Sequence, residues 1–107
     1  MKIENKQNIS SIIIKTKTHN LCPIGDDWYT CNINIDITPG KLIPDYIEVD
    51  KFIFNNIEKK EYIIENVVAE IFKYIAENYK PKYIKVTASV EDAIHSPVIV
   101  KKEGADI

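Results

Sequence analysis

The sequence predicts an α+β fold in which a four-stranded antiparallel sheet carries two helices on one face. Residues 29–38 alternate apolar and polar side chains, which is the period of a half-buried strand. Residues 60–78 repeat apolar side chains every three or four positions, which is the period of an amphipathic helix. Because the chain has 107 residues and 45% hydrophobic content, we expect one domain over residues 1–107.

Shorter signals place the other elements. Runs of β-branched residues indicate strands over 11–17, 83–90 and 96–101, and a loop is expected over 18–27. Pro39-Gly40 marks a turn, and Pro44-Asp45-Tyr46 indicates the start of a first helix with Ile47, Phe52 and Ile53 on its apolar face. Pro81 ends the second helix. The predicted order is strand, strand, helix, helix, strand, strand.

Composition restricts the function classes. The net charge is −2, and all 14 basic residues are lysines, so the chain has no global attraction for nucleic acid. Any RNA contact would come from local clusters, either Lys15 and Lys17 or Lys80, Lys82 and Lys85. The two cysteines form no CxxC pair, and we expect no metal site. No signal-peptide pattern or membrane-length apolar run is present, so the cytoplasm is expected, where a free thiol stays reduced.

The segment 18–28 concentrates the reactive side chains. A thiol at Cys22, followed by carboxylates at Asp26 and Asp27, can form a pair of nucleophile and proton donor. The alternative is that Cys22 is a small packed side chain and that the two acids are turn residues. Cys31 lies on the apolar face of its strand and is expected to be a packing residue.

Two glutamates are candidates for ligand binding. Glu65 borders the apolar stripe of the long helix, where its carboxylate could hold an amidine or guanidine edge through two hydrogen bonds. The alternative for Glu65 is a solvated helix charge. Glu48 stands near the start of the first helix, where a negative charge is also favourable in itself. We expect His19 and His95 to be structural or exposed.

Several short motifs follow one another along the chain: Leu21-Cys22-Pro23, the acids Asp26 and Asp27, Ile37-Thr38-Pro39, Ile64-Glu65, and Pro81-Lys82-Tyr83-Ile84-Lys85-Val86-Thr87. In this order they resemble the QueF family of nitrile oxidoreductases in queuosine synthesis and their short archaeal relatives. This resemblance implies the tunnelling fold (T-fold), whose strand order matches the predicted one. The reductases bind their nicotinamide cofactor through a Glu-Ser-Lys-Ser-type motif, of which the segment 47–54 keeps only Glu48 and Lys51.

The resemblance therefore favours the QueF-like amidinotransferase branch of archaeosine synthesis. It implies that Cys22 attacks the nitrile of cyano-deazaguanine in tRNA, forming a thioimide that ammonia converts to an amidine. It also implies that Asp27 or Asp26 donates the proton, with Asp27 favoured because it precedes Trp28, and that Glu65 and Glu48 bind substrate. No metal or redox cofactor is expected, and the active sites are expected between subunits of a homo-oligomer.

Three departures accompany this resemblance. The family spacing from the cysteine to the aspartate leads to Tyr29, so Asp26 or Asp27 serves only if the loop is shorter. The histidine that precedes the family glutamate is Ile64 here, and arginine is absent. Two alternatives stay open: a divergent nitrile reductase, and a non-catalytic module of the same fold that binds a purine-like ligand or tRNA.

Overall fold

The computed structural model describes residues 2–105, so positions 1, 106 and 107 of the predicted domain lie outside the described part. The strands are β1 (Ile3–Glu4), β2 (Ile12–Cys22), β3 (Asp27–Thr38), β4 (Leu42–Ile43), β5 (Tyr83–Val90) and β6 (Val98–Gly104); the helices are α1 (Tyr46–Asn56) and α2 (Ile64–Tyr79). The predicted element order is confirmed. The two-residue strands β1 and β4 are additional and pair with each other.

The main sheet has the strand order β2-β3-β5-β6, and each pair of neighbours is antiparallel. Both helices lie in the connection between β3 and β5, which confirms the predicted sheet with two helices on one face. Strands β2 and β6 form the two edges of this sheet. Within residues 2–105, neither helix is long and apolar enough to cross a membrane.

The hydrophobic core lies between the sheet and the helices. Alternate residues of β3 face it, which confirms the predicted apolar face of this strand, and the apolar stripe of α2 is buried in the same core. The rings of Phe52 and Tyr74 stack with their centroids 4.1 Å apart and join α1 to α2. The main buried residues are Cys31, Ile33, Ile35 and Ile37 of β3, and Val67, Val68, Ile71, Phe72 and Ile75 of α2.

Helix α1 starts where the sequence predicts. The side chain of Asp45 caps it by accepting hydrogen bonds from the backbone N–H groups of Ile47 and Glu48, at 3.1 and 3.2 Å. The predicted apolar face was partly wrong: Ile53 is buried as predicted, but Ile47 is 68% exposed and Val49 is buried in its place. This correction has a simple cause: with four-residue spacing, Val49 and Ile53 share a face that Ile47 does not.

Other boundaries also differ from the prediction. Helix α2 begins at Ile64 rather than at residue 60, and β6 covers Val98–Gly104 rather than residues 96–101. Strand β2 continues to Cys22 through half of the predicted loop 18–27. The sequence did not indicate a strand here because Thr18 and Asn20 are polar. Both side chains are fully buried, and hydrogen bonds rather than apolar packing satisfy them. As a result, only residues 23–26 form the turn between β2 and β3.

Candidate active site

A cleft of about 820 Å³ opens at the end of the β2–β3 hairpin, beyond the packed core. Its walls come from the hairpin, the first turn of α2, the loop 91–97 that connects β5 to β6, and β6 itself. The lining residues are Cys22, Ile24, Gly25, Asp27, Trp28, Tyr29, Ile63, Ile64, Glu65, Ala93, Ile94, His95, Ser96, Val98, Ile99 and Val100. Apolar residues predominate, with a few polar groups among them, which is typical of small-molecule sites.

Cys22 and Asp27 are the last paired residues of the hairpin. Directly opposed residues of antiparallel strands point to the same face, so both side chains project toward the helix side, where they line the cleft. The intervening turn is closed by the backbone N–H of Asp26, which donates to the Cys22 carbonyl at 2.8 Å. This geometry brings the predicted nucleophile and one predicted acid together. Asp26 itself has φ = 52° in the exposed turn and does not line the cleft.

Asn20 fixes the hairpin against the segment that leads into α2. It is fully buried, and its side-chain amide donates to the carbonyls of Ile57 and Lys60 at 2.7 and 3.1 Å. Backbone bonds continue the attachment, from Leu21 N–H to Lys60 at 3.2 Å and from Tyr62 N–H to Leu21 at 3.0 Å. The start of α2 is thereby held beside Cys22.

Glu65 lies in the first turn of α2, and its side chain is exposed at the cleft. Within residues 2–105 it forms no ion pair, so its carboxylate is available for a ligand. The predicted Glu65 thus joins Cys22 and Asp27 in one cleft. The predicted Glu48 does not, because it lies in α1, outside the cleft lining, with its carboxylate 3.6 Å from the Lys51 Nζ.

Tyr29, the residue that the strict family spacing would select, serves as a structural floor of the cleft. It is 4% exposed, and its hydroxyl donates a hydrogen bond to the Tyr62 carbonyl. Burial raises the pKa of this phenol far above its ordinary value, with smaller contributions from Cys31, Cys22 and Glu65. Tyr29 therefore stays un-ionised at neutral pH and is committed to a backbone acceptor.

Cys31 provides the internal comparison for Cys22. It is 0% exposed, and burial raises the pKa of its thiol to about 11. A buried thiol of this kind is a poor nucleophile, because the thiolate is the reactive form. Cys22 is only partly buried and opens to the cleft. The structure thus separates a packed thiol from an accessible one.

The loop 91–97 was missed as a component of the site. It brings Ile94 against the hairpin turn, where a Cβ on Gly25 would lie 3.5 Å from the Ile94 Cδ1, and it brings His95 into the cleft lining. His19, in contrast, lies outside the lining, with its ring Nδ1 3.4 Å from Glu58. The sequence offered one signal, a polar segment ending at Pro97 between two strands, but no spacing that connects it to Cys22.

The described residues contain no group of three or more acidic, cysteine or histidine side chains placed to hold a metal ion. Among the described residues that line the cleft, carboxylates occur only at Asp27 on the hairpin and at Glu65 on α2. Such an arrangement can combine one nucleophile, one proton donor and one anionic hydrogen-bond acceptor around a small, largely apolar ligand.

Comparison with solved structures identifies the architecture. The crystal structure of the archaeosine synthase QueF-Like in the apo form matches with a TM-score of 0.82 at 20% identity, over 92% of this chain and 97% of that one. The fold is the tunnelling fold. A putative dihydroneopterin aldolase (FolB) from Vibrio cholerae O1 biovar El Tor matches with a TM-score of 0.72 at 13% identity, over 91% and 98% of the two chains. No protein-family profile and no curated protein matches the sequence.

Proposed function

We propose that this protein is an amidinotransferase that converts the nitrile of cyano-deazaguanine in tRNA to the amidine of archaeosine. The observation that carries the proposal is the convergence of Cys22, Asp27 and Glu65 on one cleft. These side chains come from three separate elements, β2, β3 and α2, and the fold that brings them together is similar to that of an archaeosine synthase. The likeness supports the choice of substrate, and the side chains supply the chemistry.

The first step is addition to the nitrile. The Cys22 thiolate forms a C–S bond to the nitrile carbon, and one π-electron pair of the C≡N bond moves to nitrogen. Asp27 donates a proton to that nitrogen, which gives a neutral thioimide and leaves Asp27 as a carboxylate. Asp27 is preferred to Asp26 because its side chain shares the face of Cys22, whereas Asp26 lies in the exposed turn.

Glu65 recognises the base. Its carboxylate accepts hydrogen bonds from the exocyclic amine and the adjacent ring N–H, an acceptor pair that matches two parallel donors. Apolar cleft residues such as Ile64 and Val98 contact the ring faces. In this arrangement Glu65 on α2 fixes the orientation of the base while Cys22 on the hairpin attacks its substituent.

The second step releases the product. Ammonia attacks the thioimide carbon, the C–S bond breaks with its electron pair on sulfur, and the amidinium leaves with Cys22 restored as thiolate. The carbon keeps its oxidation level throughout, so the reaction requires no electron donor. This distinguishes the proposed reaction from a nitrile reduction, in which a hydride source must take part.

The rim of the cleft suggests how tRNA and a second subunit complete the site. Ile24 and Ile94 are 86% and 77% exposed, and a neighbouring copy in a homo-oligomer would cover such apolar side chains. Lys59 and Lys60 lie in the segment that is hydrogen-bonded to the end of β2, and both are exposed, so they can contact phosphates. Lys80, in contrast, caps the C-terminal end of α2, about 24 Å from the N-terminal end that lines the cleft, since the helix has 16 residues.

Intact mass measurement with free cyano-deazaguanine tests the nucleophile. We expect the wild-type protein to gain the full mass of the base, since addition has no leaving group, and peptide mapping should place the adduct on Cys22. The Cys22→Ala variant should gain nothing. The matched control is Cys31→Ala, which should form the adduct at the wild-type rate because Cys31 is buried away from the cleft.

Adding ammonium to the isolated adduct tests the second step. We expect amidine to be released and the protein to return to its unmodified mass, with no dependence on a nicotinamide cofactor. Repeating the reaction with tRNA that carries cyano-deazaguanine tests the proposed substrate. A folded wild-type protein that binds the base without forming an adduct would instead indicate a binding module, and release that needs a reduced nicotinamide would indicate a reductase.

A further inference from the structure

We propose that His95, in the loop 91–97 between β5 and β6, is the general base that removes a proton from ammonium before ammonia attacks the thioimide. This inference rests on the proposed function and deepens its second step. The loop 91–97 forms a wall of the cleft that contains neither the nucleophile, nor the proton donor, nor the glutamate that binds the base, and the proposal gives this wall a role. Among residues 2–105, His95 is the only imidazole that lines the cleft.

The loop is attached to the hairpin that carries the nucleophile. Ile94 meets the turn at Gly25, where an added Cβ would lie 3.5 Å from the Ile94 Cδ1. His95 is the next residue, and its neighbours Ala93 and Ser96 also line the cleft. The imidazole thus shares one cavity with Cys22 although 73 residues of sequence separate the two positions, 95 and 22.

A backbone hydrogen bond selects the tautomer of the His95 ring. Its Nδ1 lies 2.8 Å from the carbonyl oxygen of Ser96. A carbonyl oxygen can only accept, so Nδ1 carries the proton and donates it. In the neutral ring Nε2 then carries the lone pair and is the atom able to take up a proton. The loop backbone therefore prepares the ring as a base at Nε2.

The reaction needs such a base because ammonium, the prevailing form of ammonia near neutral pH, has no lone pair with which to attack. His95 Nε2 takes one proton from ammonium, and the freed ammonia forms the new C–N bond. As the C–S bond breaks, the electron pair returns to Cys22, and the product leaves as the amidinium. The proton on His95 is passed to the Asp27 carboxylate, which restores the acid for the next nitrile. Atoms and charge balance over the cycle.

The cleft offers no other group suited to this step. From the hairpin, Cys22 is bonded to the substrate at this stage, the Asp27 carboxylate is an intrinsically weaker base than an imidazole, and Tyr29 is committed to the Tyr62 carbonyl. From α2, Glu65 holds the base. An imidazole is the side chain whose ordinary pKa lies closest to neutrality, which suits a group that takes up and returns a proton in each cycle.

The test uses His95→Asn, whose side-chain amide can still donate to the Ser96 carbonyl but has no basic atom in place of Nε2. We expect the variant to form the Cys22 adduct at the wild-type rate. Its adduct should react with ammonium more slowly by about 10²–10⁴-fold, the usual contribution of a general base. Hydroxylamine, which is uncharged at neutral pH and needs no prior deprotonation, should release the adducts of variant and wild type at similar rates.

His19→Asn is the matched control, since His19 lies outside the cleft lining and should leave both rates unchanged. A His95→Asn variant that reacts normally with ammonium would overturn the assignment, as would equal slowing with ammonium and hydroxylamine, which would show a structural role. Either result leaves the proposed function intact, because wild-type adduct formation is measured separately. Failure of the wild type to form an adduct would instead contradict the proposed function itself.

Discussion

The helix side of the β2–β3 hairpin has two regions that differ sharply. In the packed end, which comprises residues 31–37, every second side chain of β3 is buried under the helices. In the cleft end, which comprises Cys22 and Asp27, the same face of the hairpin opens to the cleft. A thiol occurs in each region. Burial makes one a packing residue, and the cleft makes the other accessible.

This contrast shows how a continuous strand can provide both stability and reactivity. The alternation of side chains is unbroken from Asp27 to Ile37, so the backbone places every second residue on the helix side. What changes along the strand is the cover above it. Substitutions in the cleft end should therefore affect activity more than stability, and substitutions in the packed end should do the reverse.

The two adjacent aspartates test the cleft end most strongly. Asp27→Asn keeps the size of the side chain but removes the proton donor, and we expect adduct formation with cyano-deazaguanine to slow by about 10²–10⁴-fold. Asp26→Asn should stay within about threefold of the wild type, because Asp26 lies in the exposed turn. The measurement is the rate at which the protein gains mass at a saturating concentration of cyano-deazaguanine. Equal losses in the two variants would remove the distinction between cleft and turn.

Thiol alkylation compares the two regions directly. With iodoacetamide at neutral pH, Cys22 should react in the folded protein, while Cys31 should react only on opening of the core. If that opening costs about 3 kcal/mol, Cys22 is favoured by roughly 100-fold. Peptide mapping at short times gives the ratio, and the same experiment in denaturant should bring it close to one. Rapid modification of Cys31 in the folded protein would contradict the packed environment.

The two predicted binding glutamates can be separated by affinity. Glu65→Gln removes the charge that accepts from the base, and we expect a loss of about 1.5–3 kcal/mol, or about 10–150-fold in Kd. A deazaguanine without the nitrile is the suitable ligand, since it binds without forming a covalent bond. Glu48→Gln is the control and should bind normally if its pairing with Lys51 reflects its only role. A larger loss of affinity in Glu48→Gln than in Glu65→Gln would mean that the base does not bind at Glu65.

The layers of the fold could be predicted because they follow from periodicity. The alternation in β3 and the three-to-four spacing in α2 place their side chains correctly, since one buried face is enough to define each period. The end of β2 could not be predicted in this way. Thr18 is buried through a hydrogen bond to Asn20, and Asn20 through bonds to the carbonyls of Ile57 and Lys60. Polar residues stabilised by such bonds interrupt the apolar pattern.

The site residues likewise include some that the sequence could indicate and some that it could not. Cys22 and Asp27 are close in sequence, so the chemistry of the segment 18–28 indicated both. The family resemblance favoured Asp27 over Asp26, and the register of the hairpin separates them by pairing Asp27 with Cys22. Glu65 could be indicated as well, because it borders an apolar stripe that the sequence pattern defines. His95 lies in a polar segment that ends at Pro97, but no spacing connected it to Cys22, because that connection depends on how the loop 91–97 folds against Gly25. Contacts between distant loops are set by the tertiary fold, which single-sequence periodicity does not describe.

The packed end can be tested through the pH dependence of stability. Burial raises the pKa of Cys31 to about 11 in the folded protein, whereas an unfolded thiol has a pKa of about 8.5. The stabilising effect of a neutral buried thiol is thus fully present below the unfolded pKa. As pH rises from about 8.5 toward 11, the unfolded state loses its proton first, and the wild type should lose on the order of 2 kcal/mol of unfolding free energy from this group.

Cys31→Ala removes the titrating group and supplies the reference. Denaturant unfolding of both proteins between pH 8 and 11 should show the wild-type advantage shrinking as pH rises, because only the wild type gains a proton-releasing thiol on unfolding. Other groups that titrate at high pH, such as Tyr74, are present in both proteins and largely cancel in the difference. Parallel curves would mean that Cys31 is less shielded than its burial implies, and the contrast between the two thiols would then rest on position rather than on solvent access.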